Sequence, residues 1–260
     1  MIKKILYVSL LVLGSTISAD PLSKAIDNLE RKPENIARDV YRNPYETISF
    51  FQLKPDMQVI ELSPGSGWYT EILASYLRES GLLIAAHFNP EIKNNYLRKS
   101  RANFENMLMS REALKKVQLV NLDSTLAPPN SVDAVLTFRN LHNWLGPTMD
   151  DIFQNSFNAL KPGGIFGVVE HRAKSGTSFA KMKKSGYVTE NYAIEAAEKI
   201  GFKFVEKSNI NANPKDSANH PKGVWTLPPS LRMKDKDKSK YLEIGESDRM
   251  TLMFVKPKNS

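Results

Sequence analysis

Met57-Gln-Val-Ile-Glu-Leu-Ser-Pro-Gly-Ser-Gly-Trp-Tyr-Thr-Glu-Ile-Leu73 reads as a strand, a glycine turn and the opening of a helix. An apolar run with β-branched Val59 and Ile60 ends in an acid, Glu61, and Gly65 and Gly67 follow at once. An amphipathic pattern through Ile72, Leu73 and Leu77 comes next. Strand, glycine turn and helix form the front edge of a nucleotide-binding βαβ unit, where glycine permits close backbone approach and the helix start offers free N–H groups. The third glycine of a Gly-x-Gly-x-x-Gly fingerprint is replaced by Thr70, which disfavours a nicotinamide dinucleotide site. An ordinary strand-to-helix turn is the competing reading.

Working outward, strand patterns fall at 57–62, 82–87, 117–122, 132–138, 164–170, 202–208 and 250–255. Helical patterns fall at 68–79, 91–113, 148–160 and 189–200. Such alternation implies an α/β fold with a parallel sheet covered by helices on both faces. Residues 20–56 read as an N-terminal helical extension, with Leu22, Ile26, Leu29, Ile36 and Val40 at helical spacing broken by Pro33. The main domain is expected over 57–260. Its insertion at 209–249, between the last two strands, is far longer than a hairpin loop. Trp225 is expected to pack over the strand rim, making the insertion a lid with a mobile tip at Lys234–Lys240.

The chain has 260 residues, no cysteine and a formal charge of +8. Disulfides, thiol nucleophiles and thiolate metal ligands are thereby excluded. Lys3 and Lys4, the apolar run Ile5 to Gly14 and the small residues up to Ala19 have the order of a secretory signal at 1–19, cleaved before Asp20. The run is short for a membrane span, so an exported, periplasmic protein with no stable span after cleavage is expected. The densest lysine patch, Lys234-Asp-Lys-Asp-Lys-Ser-Lys240, alternates sign and lacks interleaved aromatics, so nucleic acid is not the expected partner.

The chain resembles the class I S-adenosylmethionine-dependent methyltransferases over roughly residues 45–255. More narrowly it resembles a bacterial group of exported predicted methyltransferases. That narrower likeness rests on Glu61-Leu-Ser-Pro-Gly-Ser-Gly-Trp-Tyr69, Val169-Glu-His-Arg172, Asn211-Ala-Asn-Pro214, Gly223-Val-Trp-Thr-Leu-Pro-Pro229 and Gly245-Glu-Ser-Asp-Arg249. The resemblance implies a Rossmann-like, seven-stranded, mostly parallel sheet whose last strand is antiparallel. It implies S-adenosylmethionine as cofactor, held by Glu61, Ser63, Gly65, Gly67, His87, Asp123 and Ser124. Ser63 stands where the family usually has its first glycine. His87 replaces the acid that usually holds both ribose hydroxyls, and an imidazole cannot accept two hydrogen bonds as a carboxylate does. Asp123 matches the adenine-binding position, though it equally suits a loop or helix cap.

Ligands of such sheets bind at the carboxyl ends of the strands. His142, His171 and Glu170 are therefore the expected acid/base residues, since methyl transfer to a hydroxyl, amine or acid needs a proton sink. Capping or core roles are open to both histidines. Tyr45, Trp144 and Trp225 are expected to line the acceptor pocket, and Arg172 and Arg249 to anchor an anionic acceptor. No His-x-x-x-His pair occurs, and no metal site is expected. The acceptor is a small molecule or is unknown. Two functions fit: a methyltransferase, or a non-catalytic small-molecule-binding protein on the same fold.

Overall fold

A computed structural model describes residues 20–258. The expected signal at 1–19 lies outside the described residues. Four short helices come first: α1 (Pro21–Ile26), α2 (Pro33–Ile36), α3 (Asp39–Arg42) and α4 (Pro44–Phe50). The single helical stripe expected over 20–56 does not form. Asp27 to Lys32 and Asn43 interrupt it, so the apolar positions lose phase. Leu22 is buried, whereas Leu29 and Val40 are exposed. Ala25, Ile48 and Phe51 supply the missing apolar contacts.

Next come β1 (Gln58–Leu62), α5 (Trp68–Leu77), β2 (Leu82–His87), α6 (Asn95–Met109), β3 (Gln118–Asn121) and β4 (Val132–Phe138). They are followed by α7 (Leu141–Trp144), α8 (Pro147–Ala159), β5 (Leu160–His171), α9 (Phe179–Ser185), α10 (Glu190–Ile200), β6 (Lys203–Ser208), α11 (Lys238–Ile244) and β7 (Arg249–Val255). The sheet has seven strands in the order β3-β2-β1-β4-β5-β7-β6. The first five are parallel, and β7 runs antiparallel to both β5 and β6. This is the expected fold class.

Alternation along each strand feeds two cores, one on each face. Ile60, Leu62, Val135, Phe166 and Phe254 point to the side covered by α8 and α10. Val59, Ala134, Leu136 and Met253 point to the side covered by α1, α4, α5 and α6. The N-terminal extension thus shares the main core. Among the described residues no helix is long and apolar enough to cross a membrane.

The insertion is more ordered than its lysines imply. A short 3-10 turn spans Gly223–Thr226, and α11 takes up the end of the expected mobile tip. Tyr241 is the reason: it is buried while the lysines around it stay in water.

Candidate functional site

The turn after β1 is held from three sides. Glu61 is fully buried and accepts from Thr70 Oγ1 at 2.6 Å, tying the strand to the first turn of α5. Burial raises its pKa to about 7 against the opposing pull of that hydrogen bond. Ser63 takes a left-handed backbone (φ 48°), and its buried Oγ has no partner among the described residues. Asn140 donates from Nδ2 to the carbonyls of Leu62 and Ser63, each at 3.2 Å.

The two glycines differ in role. A Cβ on Gly65 (φ 62°) meets nothing within 4 Å, so this backbone faces open space. A Cβ on Gly67 (φ 85°) would lie 2.4 Å from Met107 Cε. Gly67, expected at the cofactor, instead caps α5 and lets α6 pack closely.

His87 is also misplaced by the family pattern. It has no exposed surface. Its Nδ1 accepts from the Phe88 N–H at 2.8 Å, which leaves Nε2–H facing the Gly65 carbonyl at 3.4 Å. Burial lowers its pKa to about 4, so it is neutral. His87 is a strut beneath the glycine turn rather than a group reaching for a ribose. Arg101, not singled out by pattern, bridges the Phe88 carbonyl and Asn121 Oδ1 and fixes the ends of β2 and β3 together.

A cavity of about 960 Å³ runs along this rim. Gly65, Phe88, Leu122 and Asp123 line one part; His142 and Trp225 line another. Trp144 also lines it, as expected. Asp123 is exposed there and accepts from Asn89 Nδ2 at 3.3 Å. Ser124 does not line it; its hydroxyl closes the turn on the Asn121 carbonyl at 2.8 Å.

At the far part, His142 Nδ1 lies 3.0 Å from Glu170 Oε1. The same carboxylate accepts from the backbone N–H of His171 at 2.7 Å. Glu170 is wholly buried, whereas His142 is partly open to the cavity. His171 lies behind His142, with ring centres 5.2 Å apart, and its Nδ1 contacts Ser247 Oγ at 2.5 Å. Burial, then His142 and three arginines, push the His171 pKa well below the usual value. It is a poor proton acceptor, which leaves His142 as the acid/base candidate of the two. The Trp225 ring meets His142 edge-on at 5.9 Å and carries Arg232 against its face at 4.6 Å.

Other expectations need correction. Tyr45 is exposed on α4 and lies near Tyr76 and Asp20, away from the cavity, because α4 turns Thr47 and Ile48 inward. Arg172 is not open to an acceptor. It makes a two-pronged bond to Asp248 at 2.9 and 2.8 Å and also bonds Glu190 and Asn209. Arg249 is buried beside Glu246, outside the main cavity. The expectation of no metal group is also qualified. His142, Glu170 and His171 bring ligating atoms within 4.8 Å of one another, a convergence of β5 and α7 invisible to linear spacing. Their mutual hydrogen bonds fit an acid–base pair.

Residues 60–168 match the family described as "Methyltransferase domain". The sterol 24-C-methyltransferase erg6 of Schizosaccharomyces pombe is 25% identical over 195 residues, 69% of this chain and 48% of that protein. The chain thus spans about half the length of the curated relative it matches. Among solved structures, an S-adenosylmethionine-dependent methyltransferase from Aquifex aeolicus superposes with a TM-score of 0.58 at 14% identity, covering 92% of this chain and 100% of that one. The (4+2)-cyclase SpnF superposes with a TM-score of 0.59 at 15% identity, covering 91% and 92%. The domain match and the fold imply S-adenosylmethionine as the cofactor. The residues present suit it: an open glycine backbone at Gly65, apolar Phe88 and Leu122, and a carboxylate at Asp123 able to accept from an amino group. Residues 60–168 thus match the methyltransferase-domain family, and the chain has the fold of solved S-adenosylmethionine-dependent methyltransferases.

Proposed function

We propose that the protein methylates an acceptor seated beside His142, Trp144 and Trp225, with the His142–Glu170 pair taking up the acceptor's proton. The observation that carries this is one cavity lined both by the open backbone of Gly65 and by His142. When bound, S-adenosylmethionine supplies a sulfonium-held methyl group open to in-line displacement. Glu170 can only accept when ionised, so it holds a proton on His142 Nδ1 and leaves Nε2 free to receive one. Trp225 and Trp144 exclude water and orient the acceptor. Calorimetric titration with S-adenosylmethionine and S-adenosylhomocysteine tests the reading; absence of binding to either overturns it.

A second reading keeps the pocket without turnover. It is favoured by His87, buried and neutral where a ribose-holding carboxylate usually stands. Tight ligand binding with no methyl transfer to any acceptor would select it.

The reading includes export. The basic, apolar and small-residue order of residues 1–19, and the likeness to exported predicted methyltransferases, support a mature protein that starts at Asp20 in the periplasm. Its acceptor is then a small molecule of the envelope rather than nucleic acid. Mass spectrometry of the protein from a native-like host decides this: an intact N-terminus in the cytoplasmic fraction overturns it.

A further inference from the structure

Four arginines converge on one carboxylate beside the catalytic pair. Arg38 Nε lies 2.7 Å from Glu246 Oε1, and Arg42 Nε and Arg249 Nη1 lie 3.1 and 3.2 Å from Oε2. Arg139 Nη1 is 3.7 Å from the same oxygen. The Arg42 and Arg249 side chains are 1% and 3% exposed, and Glu246 is 3% exposed. Four cations therefore share a single anion in a nearly dry setting, where burying unbalanced charge is strongly unfavourable.

The hydrogen bonding is equally incomplete. Arg42 Nη1 and Nη2, Arg38 Nη2 and Arg249 Nε are buried without a partner among the described residues. Arg42 lies over the Trp68 ring at 4.6 Å, which fixes its plane without using its N–H groups. Planar guanidiniums with free N–H pairs match the oxygens of a carboxylate or phosphate. A groove of about 330 Å³ lined by Glu246, Arg249 and Lys215 borders the cluster on its Arg249 side.

Phe88 and Asp123 follow β2 and β3 on one half of the rim. Arg139 follows β4 and Arg249 opens β7, on the other half. Ser247, next to Glu246, contacts His171, which in turn packs on His142. The cluster thus lies behind the proton-accepting end of the cavity.

We propose that Arg38, Arg42, Arg139 and Arg249 form a site for a small oxyanion, a carboxylate or phosphate group, with Glu246 spacing the guanidiniums before it arrives. The shared single carboxylate and the unpartnered buried N–H groups carry this site, which stands independently of the methyltransferase reading.

Inorganic phosphate is the probe, titrated calorimetrically into the full protein at constant ionic strength in chloride, with and without saturating S-adenosylhomocysteine. Phosphate is expected to bind in both conditions and to raise the melting temperature. Arg139→Gln, a partly exposed position, is expected to weaken phosphate at least tenfold. Arg42→Met is expected to abolish phosphate binding while leaving the phosphate-free protein as stable as the parent or more so, because one of four cations that share the single Glu246 carboxylate is removed. Should that variant fail to fold, Arg139→Gln still decides. No phosphate binding by the parent, or binding unchanged in Arg139→Gln, overturns the site. Competition between phosphate and S-adenosylhomocysteine assigns the arginines to the cofactor's own carboxylate and overturns a separate oxyanion site. Phosphate binding by a protein that ignores S-adenosylhomocysteine supports the oxyanion site and overturns the methyltransferase reading instead.

Discussion

His142 and Glu170 meet twice: ring Nδ1 to Oε1 at 3.0 Å, and backbone N–H to Oε2 at 3.3 Å. One buried carboxylate therefore sets both where the imidazole sits and which nitrogen carries its proton. Glu170→Gln keeps the shape but presents an amide to N–H donors. We expect turnover to fall by about 10²- to 10⁴-fold, the usual weight of a positioned base, with affinity for S-adenosylhomocysteine nearly unchanged. Nitrogen-15 NMR should find the proton on Nδ1 in the parent and a tautomer mixture in the variant. A parent protonated on Nε2 would refute the pairing.

Gly65 and Gly67 should separate binding from stability. Gly67→Ala is expected to cost about 1–3 kcal/mol, because its Cβ strikes Met107 and its φ is left-handed. Gly65→Ala should cost about 1 kcal/mol and weaken S-adenosylhomocysteine more than Gly67→Ala does. Denaturant unfolding and calorimetry on both variants check this; equal stability losses would contradict the contrast.

His87 predicts a pH dependence of stability. Its folded pKa of about 4 lies below the ordinary 6.5, so the unfolded chain binds the proton first as pH falls. Its contribution is present above pH 6.5 and is lost as pH drops towards 4. The loss is at most about 3 kcal/mol by the value of a pKa shift. His87→Phe should flatten the melting-temperature profile across that window relative to the parent. Glu61 acts in the opposite sense, losing stability as pH rises from 4.5 to about 7, and is common to both proteins.

Asn140 ties the loop after β4 to the carbonyls that end β1. Asn140→Ala should cost about 1–3 kcal/mol, the penalty for carbonyls left without a donor. Ligand affinity should fall with it, because Ser63 and Gly65 share the turn. Unchanged affinity in a destabilised variant would show that the turn holds its shape without Asn140.

The strands of the parallel half were legible because each is a short, largely apolar run that alternates with a helical pattern. The short helices of the extension were not, because a repeating apolar stripe says nothing about the breaks at Asn28 and Asn43. Gly65, Asp123 and His142 line one cavity, and Glu170 pairs with His142. His87, Gly67, Ser124 and Tyr45 do not line it, since a matching position in a motif cannot reveal which way a side chain is buried. The arginine cluster was only touched at Arg249. Its members come from three separate segments, and only the sheet order and the fold of the insertion bring them to Glu246.

One consequence of the strand order concerns biosynthesis. β7 is made after β6 yet lies inside the sheet, between β5 and β6. Until β7 has been made, those two strands have nothing to join them. A ribosome-bound chain is thus kept from closing its sheet while its early strands wait with bare edges. For a protein that we propose to leave the cytoplasm, such lateness is useful: the chain stays threadable through a narrow pore for as long as this inner strand is missing.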